Sequence, residues 1–108
     1  MTRQFTPDDA VERYLNERQS DLSDSTIYNY KSNLGIFTDW CARQSDITHV
    51  GDIDQFHVSE FKMYKRDDED IADTTLYNAM MALRTFIKWC ESKGLLGDIA
   101  ESIMLPDR

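Results

Sequence analysis

Glycine and proline are scarce, four and two in 108 residues. So few backbone breakers leave room for long helices and few turns. Only two cysteines occur, Cys41 and Cys90, and neither has a histidine close by in sequence. That excludes a disulfide framework and a metal-ligand cluster. No apolar run approaches the roughly 18 residues of a membrane span, and Met1 to Asp8 lacks the apolar stretch of a signal peptide. A cytoplasmic protein is therefore expected. Paired carboxylates, a Gly-rich phosphate loop and a nucleophile–base pattern are all missing. These absences argue against an enzyme, and no cofactor, metal or small-molecule substrate is expected. His49 and His57 read as surface residues.

Positive charge is also in short supply. Twelve Lys and Arg face twenty acids, for a net charge of -8. On its face this argues against a phosphate-rich partner, which needs a cationic surface. The kind of acid qualifies that reading. Fourteen are Asp and six Glu, and Lys, at five, is outnumbered by seven Arg. An Asp-rich, Lys-poor surface suits high salt, where Coulomb forces are screened within roughly 3 Å near 1 M. The alternative is an ordinary acidic mesophilic protein; in a halophilic one the distribution of charge is more informative than its sum.

What is present is helical periodicity. A first helix is expected from Pro7 to about Ser20, with Thr6 as N-cap and Asp8 and Asp9 in its first turn. Its inner face carries Val11, Tyr14 and Leu15. A second, capped by Ser23 or Asp24, carries the stripe Ile27, Tyr30, Leu34, Phe37 and Cys41. A third begins after Asp54 with Phe56, Val58 and Phe61 inward. The charged run Lys65 to Asp73 reads as a loop. A fourth, capped by Asp73, runs to Lys93 before Gly94, with Leu76, Met80, Leu83, Ile87 and Cys90 inward. A short helix over about Asp98 to Met104 stops at Pro106. No stretch alternates with period two. The fold class is all-α: four main helices plus a short C-terminal one. One domain is expected, folded over about residues 5–104, with 105–108 as the start of a linker.

An internal repeat sets the architecture. Residues 26–41 read TIYNYKSNLGIFTDWC and residues 75–90 read TLYNAMMALRTFIKWC, with seven of sixteen positions identical. Shared core positions explain Leu34/Leu83 and Phe37/Phe86. They do not explain the polar match Thr-x-Tyr-Asn that opens each copy. A duplicated helical unit with quasi-two-fold packing follows, its second and fourth helices crossing.

The repeat also concentrates charge. No acid occurs from Ser25 to Thr38 or from Thr74 to Cys90, 31 residues in which an even spread of the twenty acids over 108 would put about six. These windows hold Lys31, Arg84 and Lys88. Tyr28 points away from the apolar arc, and Tyr77, Met81, Arg84 and Lys88 form an outer stripe on the later copy. Acid-poor first turns leave helix N-termini open to an anion, and Thr, Asn and Tyr side chains donate to phosphates or base edges. The candidate nucleic-acid contacts are Thr26, Tyr28, Asn29 and Lys31 in one copy, and Thr75, Tyr77, Asn78, Arg84 and Lys88 in the other. Lys62, Lys65 and Arg66 are candidates for outer phosphate contacts. The alternative is a stand-alone helical protein–protein interaction module with Tyr28, Tyr77 and Met81 as apolar anchors.

The order Ser23-x-x-Thr26-x-x-x-Tyr30-x-x-x-Leu34-x-x-Phe37-x-x-Trp40 resembles the second helix of the N-terminal, SAM-like core-binding domain of tyrosine recombinases, the phage integrases. Thr75-Leu76, Leu83-Arg84-x-Phe86 and Trp89 resemble its fourth helix, and Asp52 to Val58 the start of its third. Where such domains often carry Asn-Pro after the fourth helix, this chain has Gly97-Asp98-Ile99. The resemblance covers about residues 5–106. It implies half of a C-shaped clamp on double-stranded DNA, with the second and fourth helix starts near the major groove. It also implies other recombinase subunits as partners of the full-length protein. The Arg/His/Tyr cleavage set belongs, in that family, to a separate C-terminal domain.

Overall fold

The helices begin where local chemistry caps them. In the computed structural model, which describes residues 5–67 and 72–103, the Thr6 hydroxyl accepts the Asp9 N–H at 3.1 Å and opens helix α1, Pro7–Arg18. Ser23 Oγ accepts the Thr26 N–H at 3.2 Å and opens α2, Asp24–Ala42. Asp54 accepts from the N–H groups of Phe56 and His57 and opens α3, Gln55–Arg66. Each cap satisfies donors that have no partner within the helix. Helix α4, Asp73–Ser92, starts differently: Ala72 is its N-cap and offers no side chain, so Asp73 is the first helical residue rather than the cap. Gly94 adopts φ 73° just past the C-cap Lys93 and turns the chain out of α4.

The order is α1, α2, a 3₁₀ turn at Val50–Asp52, α3, α4 and a second 3₁₀ turn at Ala100–Ser102, with no strand among the described residues. The expected C-terminal helix is thus a single 3₁₀ turn. Helix α3 continues through Arg66, into the run expected to be a loop. Met104 and the linker expected at 105–108 lie outside the described residues, as do Asp68, Glu69 and Asp70.

The repeat is visible in the packing. Helix α2 packs against α1 and α4, and α4 also packs against α3. Phe37 and Trp40 stack with ring centroids 6.1 Å apart at 20°, and Phe86 and Trp89 stack at 6.3 Å and 19°. Each pair receives an edge-on or tilted ring from the other hairpin. Phe61 of α3 sits 5.0 Å from Phe37 and 5.6 Å from Trp40. Tyr14 of α1 sits 5.6 Å from Phe86 and 5.5 Å from Trp89. The hairpins α1–α2 and α3–α4 therefore exchange aromatic side chains across the core. Leu34, Leu83, Met80, Ile87, Cys41 and Cys90 fill that core between them. Burial pushes both thiols up to about 12.

Three expectations about facing are corrected. Phe56 is 68% exposed, because His57, Val58, Phe61 and Lys65 occupy the inner face of α3. His57 is buried rather than on the surface. Its Nδ1 accepts the Asp54 N–H at 3.0 Å and its Nε2 bonds Asp46 Oδ2 at 2.8 Å, fixing the preceding loop to α3. Accepting at Nδ1 assigns the proton to Nε2. Lys65, placed among the outer phosphate contacts from sequence, is buried at 8%. It lies four residues after Phe61 on the same helical face.

Candidate nucleic-acid interface

The acid-free windows become two long helical surfaces. On α2, Tyr28 is 76% exposed, and Asn29, Lys31 and Ser32 are exposed beside it. On α4, Thr75, Asn78, Met81 and Lys88 are exposed, while Tyr77 and Arg84 are half-buried. Because α2 and α4 pack against each other, the two surfaces belong to neighbouring elements.

The helix starts are less open to anions than the sequence suggested. Each begins with a carboxylate, Asp24 in α2 and Asp73 in α4, one residue before the acid-free window. A carboxylate in the first turn competes for the same positive end of the helix that an external phosphate would use. Thr26 is also committed locally: its N–H and hydroxyl both meet Ser23 Oγ, the hydroxyls 2.9 Å apart. On α2 the donors available to a partner therefore begin with Tyr28 and Asn29, whereas on α4 Thr75 is exposed within the first turn.

There the side chains are ordered. Asn33 Nδ2 donates to the Asn29 carbonyl at 3.0 Å and to Asn29 Oδ1 at 2.7 Å. That leaves the Asn29 amide NH₂ directed away from its neighbour and free to act as donor. Asn33 itself gave no motif-level signal; only its spacing of four from Asn29 could have pointed to the contact. Arg84 Nε is buried and has no hydrogen-bond partner among the described residues, so the stem of this guanidinium is embedded in the helix surface.

Two grooves flank α2. One, of about 580 Å³, runs between α1 and α2 and is lined by Val11, Leu15 and Ile27, with Asp8 and Glu12 on the α1 rim and Lys31 and Gly35 on the other. The second, of about 460 Å³, lies over the outer face and is lined by Tyr28, Lys31, Ser32, Gly35, Ile36 and Asp39. Tyr28 and Lys31 thus line one groove. Arg66 lies elsewhere, in a groove of about 230 Å³ between α3 and α4 with Lys62, Met63, Met80 and Ile103. It pairs with Asp67 at 3.3 Å. Among the described residues no group of three or more His, Cys, Asp and Glu is arranged to hold a metal ion. No helix among them is long and apolar enough to cross a membrane.

Four helices around a duplicated aromatic core, with an acid-free stretch in the second and fourth, define a SAM-like all-α domain. Residues 9–95 match the family described as phage integrase, N-terminal SAM-like domain, and the chain belongs to that family. The fold is similar to the crystal structure of the N-terminal domain of a phage integrase/site-specific recombinase from Haloarcula marismortui. The TM-score is 0.91 at 24% identity, over 97% of this chain and 100% of that one. No curated protein sequence matches the chain.

Proposed function

We propose that this domain binds double-stranded DNA as the core-binding half of the clamp of a tyrosine recombinase, holding the recombination site during DNA integration and recombination. The observation that carries the reading is the acid-free, donor-rich face on α2 and α4 of a chain whose net charge is -8. Eleven of the 31 acid-free residues are buried, and the other twenty lie wholly or partly at the surface of an acid-rich protein without a carboxylate among them. Side chains rather than helix termini make the contacts, since Asp24 and Asp73 occupy the first turns. Tyr28, Asn29 and Lys31 act from α2. Thr75, Tyr77, Asn78, Arg84 and Lys88 act from α4. Arg66 is an outer phosphate contact. The domain works in the cytoplasm beside other recombinase subunits and does not itself cut or join strands.

The protein-interaction alternative draws on the exposure of Tyr28 and Met81. Salt dependence separates the two readings. Binding of a labelled duplex, followed by fluorescence anisotropy, should weaken linearly in log–log form as salt rises. Each lost phosphate contact should reduce the slope by about one unit. Arg84→Glu with Lys88→Glu should abolish binding while the thermal melt stays cooperative. Absence of binding at low salt would favour the protein-interaction module. Strand cleavage by the domain alone would contradict the non-catalytic assignment.

A further inference from the structure

Gly35 is the residue the fold does not explain. It sits inside α2, a 19-residue helix, where glycine is less favourable than any ordinary residue. Glycine in such a place usually relieves a steric conflict or supplies a positive φ. Neither applies. Among the described residues the positive-φ glycine is Gly94, and a Cβ built on Gly35 meets nothing within 4 Å. Its carbonyl accepts the Thr38 hydroxyl at 3.0 Å, a bond that any residue would provide. The space it leaves lies outside the molecule. Gly35 and Lys31 are the two residues that line both grooves beside α2.

The neighbours say what approaches. Tyr28, Lys31, Ser32 and Gly35 follow the spacing of one helical face, so a hydroxyl, an ammonium, a second hydroxyl and a half-buried bare backbone form one strip. No carboxylate lies on it between Asp24 and Asp39, and Asp8 and Glu12 hold the far rim of the α1 groove. Acids thus border the strip at both ends and along one side, and its centre carries donors and a positive charge. The equivalent position in the second copy, 49 residues on, is Arg84. The duplicated unit has no side chain at this point in one copy and a long cationic one in the other.

We infer that Gly35 is a contact position, at which the sugar–phosphate backbone of duplex DNA closes onto α2 between Lys31 and the open α1–α2 groove. This rests on the DNA-binding reading and extends the interface a full turn or more beyond the helix start. Lys31 and the hydroxyl donors are the groups that can meet phosphates here, and Asp24, Asp39, Asp8 and Glu12 around them confine the contact to the strip. Gly35 sets how closely the phosphates approach. Lys31 and Ser32 bind them.

Substitution at Gly35 separates stability from binding. Gly35→Ala and Gly35→Gln fill open space in a helix and replace its poorest ordinary former. The melting temperature should hold or rise, for Ala by roughly 4 °C. Binding of a labelled duplex at low salt should instead weaken with side-chain size, about threefold for Ala and about tenfold for Gln. A tenfold loss corresponds to about 1.4 kcal/mol. The salt slope should fall by about one unit, as for a lost phosphate contact. If the unaltered protein binds DNA and Gly35→Gln binds within twofold of it with the same slope, the inference is overturned and the DNA-binding reading stands. A melting temperature lowered by Gly35→Ala would also overturn it, by showing an internal need for the glycine. Failure of the unaltered protein to bind DNA at low salt would overturn both.

Discussion

The exchanged aromatic clamps give the most demanding prediction about the fold. Phe37 and Phe86 are both fully buried. Each stacks on the Trp three residues later, and each takes a ring from the opposite hairpin, Phe61 at 5.0 Å or Tyr14 at 5.6 Å. Truncating a buried Phe to Ala costs about 3–5 kcal/mol. A domain of this size has about 5–15 kcal/mol in all. Phe37→Ala or Phe86→Ala should therefore leave the protein marginal or unfolded. The milder Phe37→Leu and Phe86→Leu keep most of the volume and lose the ring geometry, at about 1–2 kcal/mol each. If the hairpins are equivalent, the two Leu variants should cost the same within about 1 kcal/mol in urea denaturation. Tyr14 supplies an internal control. Its hydroxyl is buried with no partner among the described residues, and burial pushes its ionisation up to about 12. An unsatisfied buried hydroxyl costs about 1–3 kcal/mol, so Tyr14→Phe should keep the clamp and raise stability. Losses below about 1 kcal/mol for both Phe→Ala variants would refute the core described here. A destabilising Tyr14→Phe would refute the account of the second clamp.

Three further outcomes follow from charge and burial. Cys41 and Cys90 should resist a thiol reagent in the native protein and react at the rate of unfolding, because both are buried and held in the thiol form. The N–H groups of His49 and then Thr48 hold Asp52 below the ordinary carboxylate range. A depressed folded value contributes stability that is present above the unfolded value and lost as pH falls through the folded one. Melts between pH 5 and pH 3 should therefore be less pH-dependent in Asp52→Asn than in the unaltered protein. Raising sodium chloride from low to molar should increase the melting temperature by screening twenty acids against twelve bases. A flat or falling trend would contradict the halophilic reading.

The sequence made the helices legible where apolar spacing and caps agreed. Ser23 and the stripe through Leu34, Phe37 and Cys41 placed the start of α2 to within a residue and its inner face. Leu76, Met80, Leu83, Ile87 and Cys90 did the same for α4. It misled where residue type and position disagreed. Lys65 and His57 sit on the inner face of α3; the charge of one, and the place of the other beside a loop and a helix start, pointed to the surface. Lys65 buries a long apolar stem, and His57 spends both nitrogens on Asp54 and Asp46. Asp73 has the chemistry of a cap but lies one residue inside the helix, which also spoiled the expectation of acid-free first turns. The exchange of Tyr14 and Phe61 between hairpins is tertiary and has no periodic trace. Of the site, the acid-free windows and the matched Tyr-Asn pairs were legible. The Asn33 contact that orients Asn29, and the open space over Gly35, needed coordinates.

Whether the outer surfaces of α2 and α4 meet duplex DNA is decided by an NMR titration of the domain with a duplex at low salt. Shifts should concentrate at Tyr28, Asn29, Lys31 and Ser32 on α2 and at Thr75, Asn78, Arg84 and Lys88 on α4. They should vanish in the Arg84→Glu, Lys88→Glu double variant while its spectrum stays folded. Shifts confined to α1, or to the region of Lys62 and Arg66, would contradict that contact.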